Sequence, residues 1–328
     1  MAAVHSKQWL AIGAVLLILA SAYMQVDLGK PIAEIESSPP FEESIRVSFD
    51  KATSSNVSAA IDPEGNVHVV WVDNRSGNGD IYYVKLDSHG NKLVNDVKIT
   101  NDTWRSMNPT IAIDDQYHIY IVWQDDRLGH WELFFAKLLY SPRNITFISN
   151  DVPVSDGIND SIQPFIAIDN AGDIMMVWSD SRHVSNNSNY EIYYKRMDSD
   201  GVNITVDRRV TSDPGISVRP SLAVSSNNTA HLVWYDFRDS ADGRVINHGI
   251  FFTMLTNDGQ PLLPNTRITF ASIESTPAIV LDLDGNSHIV FDDDRYADFD
   301  IFYTKLDIQG ITVIDDIRIS PLDAAPSR

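Results

Sequence analysis

A chain of 328 residues, 43% hydrophobic and 10% aromatic, can hold one or two packed domains and is too apolar for wholesale disorder. Its 25 Lys+Arg against 45 Asp+Glu leave a net charge of −20, which speaks against a nucleic-acid partner, because phosphate binding needs a basic face. There is no cysteine, so disulfides, zinc thiolate sites, cysteine nucleophiles and a lipid-modified N-terminal cysteine are excluded.

At the N-terminus, Lys7 precedes the uncharged apolar run "WLAIGAVLLILASAYM" (9–24), which ends near the small residues Ala20, Ser21 and Ala22. A basic start, a short apolar stretch and a small-x-small exit describe a secretory signal. The run is slightly short of the roughly 20 residues of a spanning helix, and an uncleaved anchor is the other reading of the same N-terminal hydrophobic helix. Residues 1–24 are therefore expected to be a signal peptide or membrane anchor, and 25–44, rich in Pro, Glu and Ser, a flexible linker. Eight Asn-x-Ser/Thr sequons, at Asn56, Asn74, Asn101, Asn144, Asn159, Asn186, Asn203 and Asn227, fit an exported glycoprotein at the cell surface.

From residue 45 the chain repeats itself. The segment "WVDNRSGNGDIYY" (71–83) returns as "WQDDRLGHWELFF" (123–135), and again from 178, 234 and 291. The leading aromatics Trp71, Trp123, Trp178, Trp234 and Phe291 are spaced by 52, 55, 56 and 57 residues. A period of that length, read as four strands per unit, is the signature of a propeller. In the first unit the strands read "SAAID" (58–62), "VHVVWVD" (67–73), "DIYYVKLD" (80–87) and "VKIT" (97–100), with turns at "PEGN" and "SHGN". No helical periodicity interrupts 45–320. The predicted fold is all-β: a five-bladed β-propeller of four-stranded antiparallel blades over 45–321, with 322–328 as a C-terminal tail. One outer strand is surplus, because "IRVSFD" (45–50) and "IRISP" (317–321) both qualify. Either the first closes blade 5 as a clasp, or it lies outside that blade, or another chain completes the ring.

The shared motif comprises Trp71, Asp73 and Arg75, then Trp123, Asp125 and Arg127, then Trp178, Asp180 and Arg182. It continues with Trp234, Asp236 and Arg238, and closes with Phe291, Asp293 and Arg295. Side chains alternate along a strand, so Trp71 and Asp73 share a face, the indole filling the gap between blades and the carboxylate accepting loop N–H groups. Arg75 is expected to fork onto a carboxylate. Acids at the start of the third strand, Asp80, Glu132, Glu191 and Asp300, are the candidate partners. Five arginines could instead ring an anionic ligand, but a device copied into every unit is read as scaffold, whereas a site needs one set of groups. His68, His231 and His288 occupy equivalent positions and would point apart around the ring, as packed histidines rather than a metal site. The turns at Asp62, Asp169 and Asp284 are read as capped by their carboxylates. Calcium is the one metal they admit, and it wants six to eight oxygens. No cofactor is otherwise implied.

The "D-x-x-G-N" turns followed by "h-h-W-x-D-x-R" resemble secreted, sialidase-like or BNR-type repeat propellers, and the turn is also similar to that of NHL-type repeats. The order departs from the sialidase Asp-box, Ser/Thr-x-Asp-x-Gly-x-x-Trp, because Asp62 and Gly65 stand three apart. The resemblance therefore implies the fold, and no sialidase catalytic residue is carried over.

Loops joining strands two and three, and those joining blades, emerge on one face, where a ligand would bind. Symmetry breaks there in units 3 and 4, which makes Asp239, Asp242, Arg244, His248, His183 and Tyr190 candidate ligand-binding residues. Inter-blade links add Trp104, Arg105, Arg219 and Glu274, with Trp131 as a further aromatic. The leading expectation is an exported or tethered monomeric binding module for glycan or protein, its membrane contact limited to the N-terminal segment. The alternatives are a sialidase-like glycoside hydrolase, with Glu274, Arg105 and Arg219 and with Tyr235 or Tyr296 as nucleophile, and a structural surface protein.

Overall fold

A computed structural model of the chain describes residues 45–49, 51–141, 144–156, 158–183, 189–213, 215–238, 248–270, 275–295 and 299–320. Four consecutive strands form each of five antiparallel sheets. Blade 1 holds β1 (Ser54–Ile61), β2 (Val67–Asp73), β3 (Asp80–Leu86) and β4 (Lys92–Lys98). Blade 2 holds β5 (Ser106–Ile113), β6 (His118–Asp125), β7 (Glu132–Ser141) and β8 (Asn144–Pro153). In blade 3 these are β9 (Ser161–Ile168), β10 (Ile174–Asp180), β11 (Glu191–Met197) and β12 (Arg208–Arg209). Blade 4 has β13 (Ser217–Val224), β14 (Ala230–Asp236), β15 (Gly249–Leu255) and β16 (Thr266–Phe270). Blade 5 has β17 (Ala278–Leu281), β18 (Ser287–Asp293), β19 (Asp300–Leu306) and β20 (Thr312–Arg318).

This is the predicted five-bladed propeller. The first strands β1, β5, β9, β13 and β17 pack on one another in sequence, so they line the axis. β2 falls where alternation places it, while β4 begins five residues ahead of its expected Val97. Asp87 ties the preceding turn by accepting the N–H groups of His89 and Asn91, both at 2.8 Å, so pairing resumes at once. The predicted N-terminal helix and linker lie outside the described residues. Among the described residues no helix is long and apolar enough to cross a membrane.

Four of the motif aromatics fill the gap toward the preceding blade. Trp123 joins one cluster with Val70, Ile81 and Tyr83 of blade 1, Trp178 packs with blade 2, Trp234 with blade 3 and Phe291 with blade 4. A fully buried Trp removes roughly 150–250 Å² from water, about 4–6 kcal/mol at 25 cal/mol per Å² before conformational entropy is counted. Trp71 packs with Tyr82, Val84 and Leu86 and is joined by Val47, so the surplus segment 45–49 lies against blade 1. It is not a clasp, because the outer strand of blade 5 is β20.

The motif carboxylates act as expected of scaffold, with one correction. Asp125 receives Arg127 through Nε and Nη2 at 2.8 and 2.9 Å, and Asp236 receives Arg238 at 2.8 and 2.7 Å. The fork therefore closes on the aspartate two residues back and not on Asp80, Glu132, Glu191 or Asp300. Each guanidinium lies over the third-strand aromatic, at 4.3 Å from Tyr82 and 4.0 Å from Phe251, which turns its edge toward the motif Asp. The third-strand acids serve the outer strand instead: Asp80 pairs with Lys98, Glu191 with Arg209 and Asp300 with Arg318, at 2.9, 2.5 and 2.6 Å. Glu132 is bonded by Ser155.

Blade 4 has Gly249 in place of that acid. A Cβ there would stand 2.3 Å from the backbone oxygen of Thr269, so β16 crosses too close for any side chain. Gly249→Ala is expected to destabilise the fold by about 1–3 kcal/mol through overpacking, read as a lower urea midpoint. An unchanged midpoint would show that β16 moves aside freely.

The turn carboxylates cap their own turns. Asp62 accepts from Glu64 N at 3.0 Å and Asn66 N at 2.9 Å. In blade 5 the cap is Asp282, which accepts from Asp284 N and Asn286 N at 3.0 and 2.8 Å, so the expectation of Asp284 was out of step by two. His68 bridges Asp62 and the Tyr83 hydroxyl at 3.2 and 2.8 Å, and His288 bridges Asp282 and Tyr303 at 3.0 and 2.8 Å. Blade 4 replaces the turn Asp with Ser225, and there His231 turns to Ser287 Oγ at 2.9 Å. His68 and His288 are thus engaged within their own blades, and His231 across the seam between blades 4 and 5.

Candidate functional site at the channel mouth

Four of the five inner strands begin with the same irregularity. Pairing of β1, β5, β9 and β13 with their neighbours slips by a β-bulge. Within it stand Asn56, Asn108, Gln163 and Arg219, with φ of 49°, 48°, 54° and 58°. Left-handed backbone at residues other than glycine is sparsely populated, and bulges of this kind re-aim side chains at barrel rims and beside active sites. Asn108, Gln163 and Arg219 each precede a proline, a setting that favours extended φ near −120°. The equivalent residue of blade 5, Thr276, is not among the positive-φ residues. Blade 5 therefore breaks the pattern of the inner ring.

The bulge residues are stitched together by the middle residue of the Trp-x-Asp motif. That residue is Val72, Gln124, Ser179, Tyr235 or Asp292 in turn, the one position of the motif core that changes in every blade. Asn56 Nδ2 donates to Asn108 Oδ1 at 2.5 Å, and Asn108 Nδ2 donates to Gln124 Oε1 at 2.8 Å. Gln124 Oε1 also accepts from Gln163 N at 2.9 Å, and Gln163 Oε1 accepts from Arg219 N at 3.1 Å and from Ser179 Oγ at 3.3 Å. An amide-rich belt thus runs around four blades and ends on a cation. The spans of the five inner strands contain one basic residue, Arg219, which is half-buried.

Beside it stands Asp292. The residue is 8% exposed, and Oδ1 accepts from Thr276 N at 2.7 Å. Burial pushes its pKa up; the Thr276 N–H and the charge of Arg219 pull the other way, and the neighbouring charge of Asp293 adds to the rise. A buried carboxyl that holds its proton longer than usual, on an axis lined by amides, can donate that proton to a bound molecule. Tyr235, from the same motif position of blade 4, is buried against Phe237 and His248, with ring centroids 4.7 and 6.3 Å away.

The sequence-predicted residues spread more widely. His183 meets the Tyr193 hydroxyl at 2.5 Å, and its pKa is lowered by burial and by Arg209 and Arg182. Tyr190 donates to Asp160 at 3.2 Å, and burial pushes its hydroxyl up to about 12. His248 packs against Phe237, the rings tilted with centroids 4.3 Å apart. Arg105 binds Asp126 at 2.7 Å, lies 5.0 Å from the Trp131 ring and follows Trp104, which is 50% exposed. Asp239, Asp242, Arg244, Glu274 and Tyr296 lie outside the described residues. Of the set, Arg219 sits in the amide belt, with Asp292 near enough to feel its charge. Among the described residues no group of three or more His, Asp or Glu side chains is placed to hold a metal ion.

No family model matches the chain, and no curated protein matches it. Solved structures do. A protein of unknown function from Dyadobacter fermentans superposes with a TM-score of 0.64 at 8% identity, covering 84% of each chain. The Penicillium chrysogenum α-L-arabinanase complexed with arabinobiose gives 0.58 at 12% identity, over 82% of this chain and 81% of that one. The Fusarium graminearum α-L-arabinofuranosidase Arb93A, in complex with an iminosugar inhibitor, gives 0.58 at 11%, over 80% and 79%. At such identities the likeness is one of fold.

Proposed function

We propose that the protein is a carbohydrate-active propeller, a glycoside hydrolase whose site is the channel mouth and whose proton donor is Asp292. The observation that carries this reading is the buried carboxyl of Asp292, whose burial pushes its pKa up, at the one motif position that differs in every blade. Glycoside hydrolysis needs such an acid to protonate the leaving oxygen and a second carboxylate as base or nucleophile. Glu274, two residues before Thr276 in the sequence, is the partner to test. The amides of Asn108, Gln124 and Gln163 offer the mixed donors and acceptors that sugar hydroxyls need. The superposed arabinanase and arabinofuranosidase support the class. The apolar run 9–24 supports action outside the cell or at its surface.

The test is turnover of aryl glycosides and linear polysaccharides, arabinan among them, by the parent, Asp292→Asn and Glu274→Gln. Loss of a general acid lowers the rate by about 10²–10⁴, and the parent's rate should fall as pH rises through the raised Asp292 pKa. Turnover unaffected by Asp292→Asn would remove the assignment. Binding without turnover would leave a glycan-binding module, a reading favoured by the amide belt itself, which satisfies hydroxyls without any chemistry.

A further inference from the structure

We propose that the link 102–105 between blades 1 and 2 is a saccharide-binding platform, on which Trp104 stacks against a sugar ring and Arg105 donates to its hydroxyls. The inference rests on the carbohydrate reading above and names the ligand more closely, as an uncharged glycan chain. Trp104 is half exposed, yet its loop is held from both sides. Asp102 Oδ1 accepts from Trp104 N at 2.8 Å, and Asn78 Nδ2, from the second loop of blade 1, donates to the Asp102 and Trp104 carbonyls at 3.1 and 2.6 Å. Asp126 then grips Arg105 by its backbone N–H and Nε, at 2.8 and 2.7 Å. An indole left in water on so fixed a loop is pre-organised for contact, since little entropy remains to be lost on binding.

The repeat does not call for it. At the same place ahead of the inner strand, blade 3 has Asn159, whose Nδ2 is taken by the Ser181 carbonyl at 3.3 Å. Blade 4 has Gly215, where a Cβ would lie 2.4 Å from Arg238 Cα. A position that in blades 3 and 4 turns inward or admits no side chain here presents the largest one. Charge selects the ligand class. Asp126 neutralises Arg105, and Asp102 meets Arg127 at 2.8 Å, so the rim offers directed donors without the net positive field that a polyanion needs. Trp104 and Asn108 are four positions apart, at most about 14 Å of extended chain, so one glycan can touch the platform and the mouth together.

Affinity electrophoresis of the full chain through gels holding arabinan, another neutral polysaccharide or polygalacturonate tests this without turnover. A neutral polysaccharide should retard the parent. Trp104→Ala, with an unchanged melting temperature, should weaken that retardation about tenfold in Kd, the loss expected of an anchoring aromatic, while Trp104→Phe keeps most of it. The platform is overturned if no neutral polysaccharide retards the parent, if polygalacturonate alone does, or if Trp104→Ala migrates as the parent does. Retained retardation beside absent turnover would sink the hydrolase reading and leave the platform standing.

Discussion

Asp180→Ala is expected to lower the stability of the propeller by about 3–5 kcal/mol, the loss typical of removing one partner from a buried ion pair. Five donors converge on this one carboxylate: Trp178 Nε1 at 2.7 Å, Ser161 Oγ at 2.9 Å, and Arg182 through N, Nε and Nη2 at 2.9, 2.9 and 2.7 Å. Burial works against its charge, but the hydrogen bonds and charge of Arg182 hold its pKa below the usual range. Deleting it strands the indole N–H in a closed seam and releases a guanidinium that also bridges Asp156 and Asp207. Blade 3 would loosen at its seam with blade 2, where Trp178 packs. In a chain of this size the melting temperature should drop by about 10 °C, whereas Asp115→Ala, an exposed turn residue, should stay within about 0.5 kcal/mol of the parent. Equal melting of the two variants would show that the motif aspartate is dispensable.

The same motif shows how much could be read beforehand. Trp, Asp and Arg recur at fixed spacing, so their role as scaffold follows from copying alone, and the five sheets stand where the period places them. The partner of the arginine was not legible. Several acids stood within reach along the chain, and the choice was made by the stacking of the guanidinium on Tyr82 and its counterparts, a tertiary fact. The amide belt around Arg219 was less legible, for a different reason. Alternation places the middle residue of Trp-x-Asp opposite the indole, so Val72, Gln124, Ser179, Tyr235 and Asp292 pass for filler between blades. Their variation was visible, but its meaning depends on bulges whose left-handed residues are Asn, Gln and Arg rather than glycine, and three of which precede proline. Neither feature announces a bulge. The lengths of the loops in units 3 and 4 are visible in a sequence, whereas backbone strain is not.

Acid is the second large lever on this fold. Burial lowers the pKa of His68 to about 4, offset by the hydrogen bond to Asp62 and reinforced by the charge of Lys85, with Tyr83 and Tyr140 completing its surroundings. His231 is lowered to about 4 by burial alone, facing Ser287 Oγ and the Phe252 ring. A histidine that ionises near 6.5 in the unfolded chain and near 4 in the fold binds its proton first in the unfolded state. Stability is therefore intact above pH 6.5 and drains away as pH falls toward 4, by about 1.4 kcal/mol per unit for each histidine and about 3 kcal/mol each over the whole window. The turn carboxylates Asp62 and Asp282, held well below their ordinary range, begin to lose their contribution only beneath about pH 4. Asp292, Glu191 and Asp102, raised by burial, act in the opposite sense just above pH 4, so the raw slope is a sum. A difference isolates the histidine. His231→Asn keeps a side chain able to bond Ser287 without a titrating ring, and its urea stability between pH 4 and 6.5 should fall by about one proton's slope less than the parent's. Parallel curves for the two proteins would mean that His231 is already charged within the blade seam, which its apolar surroundings oppose.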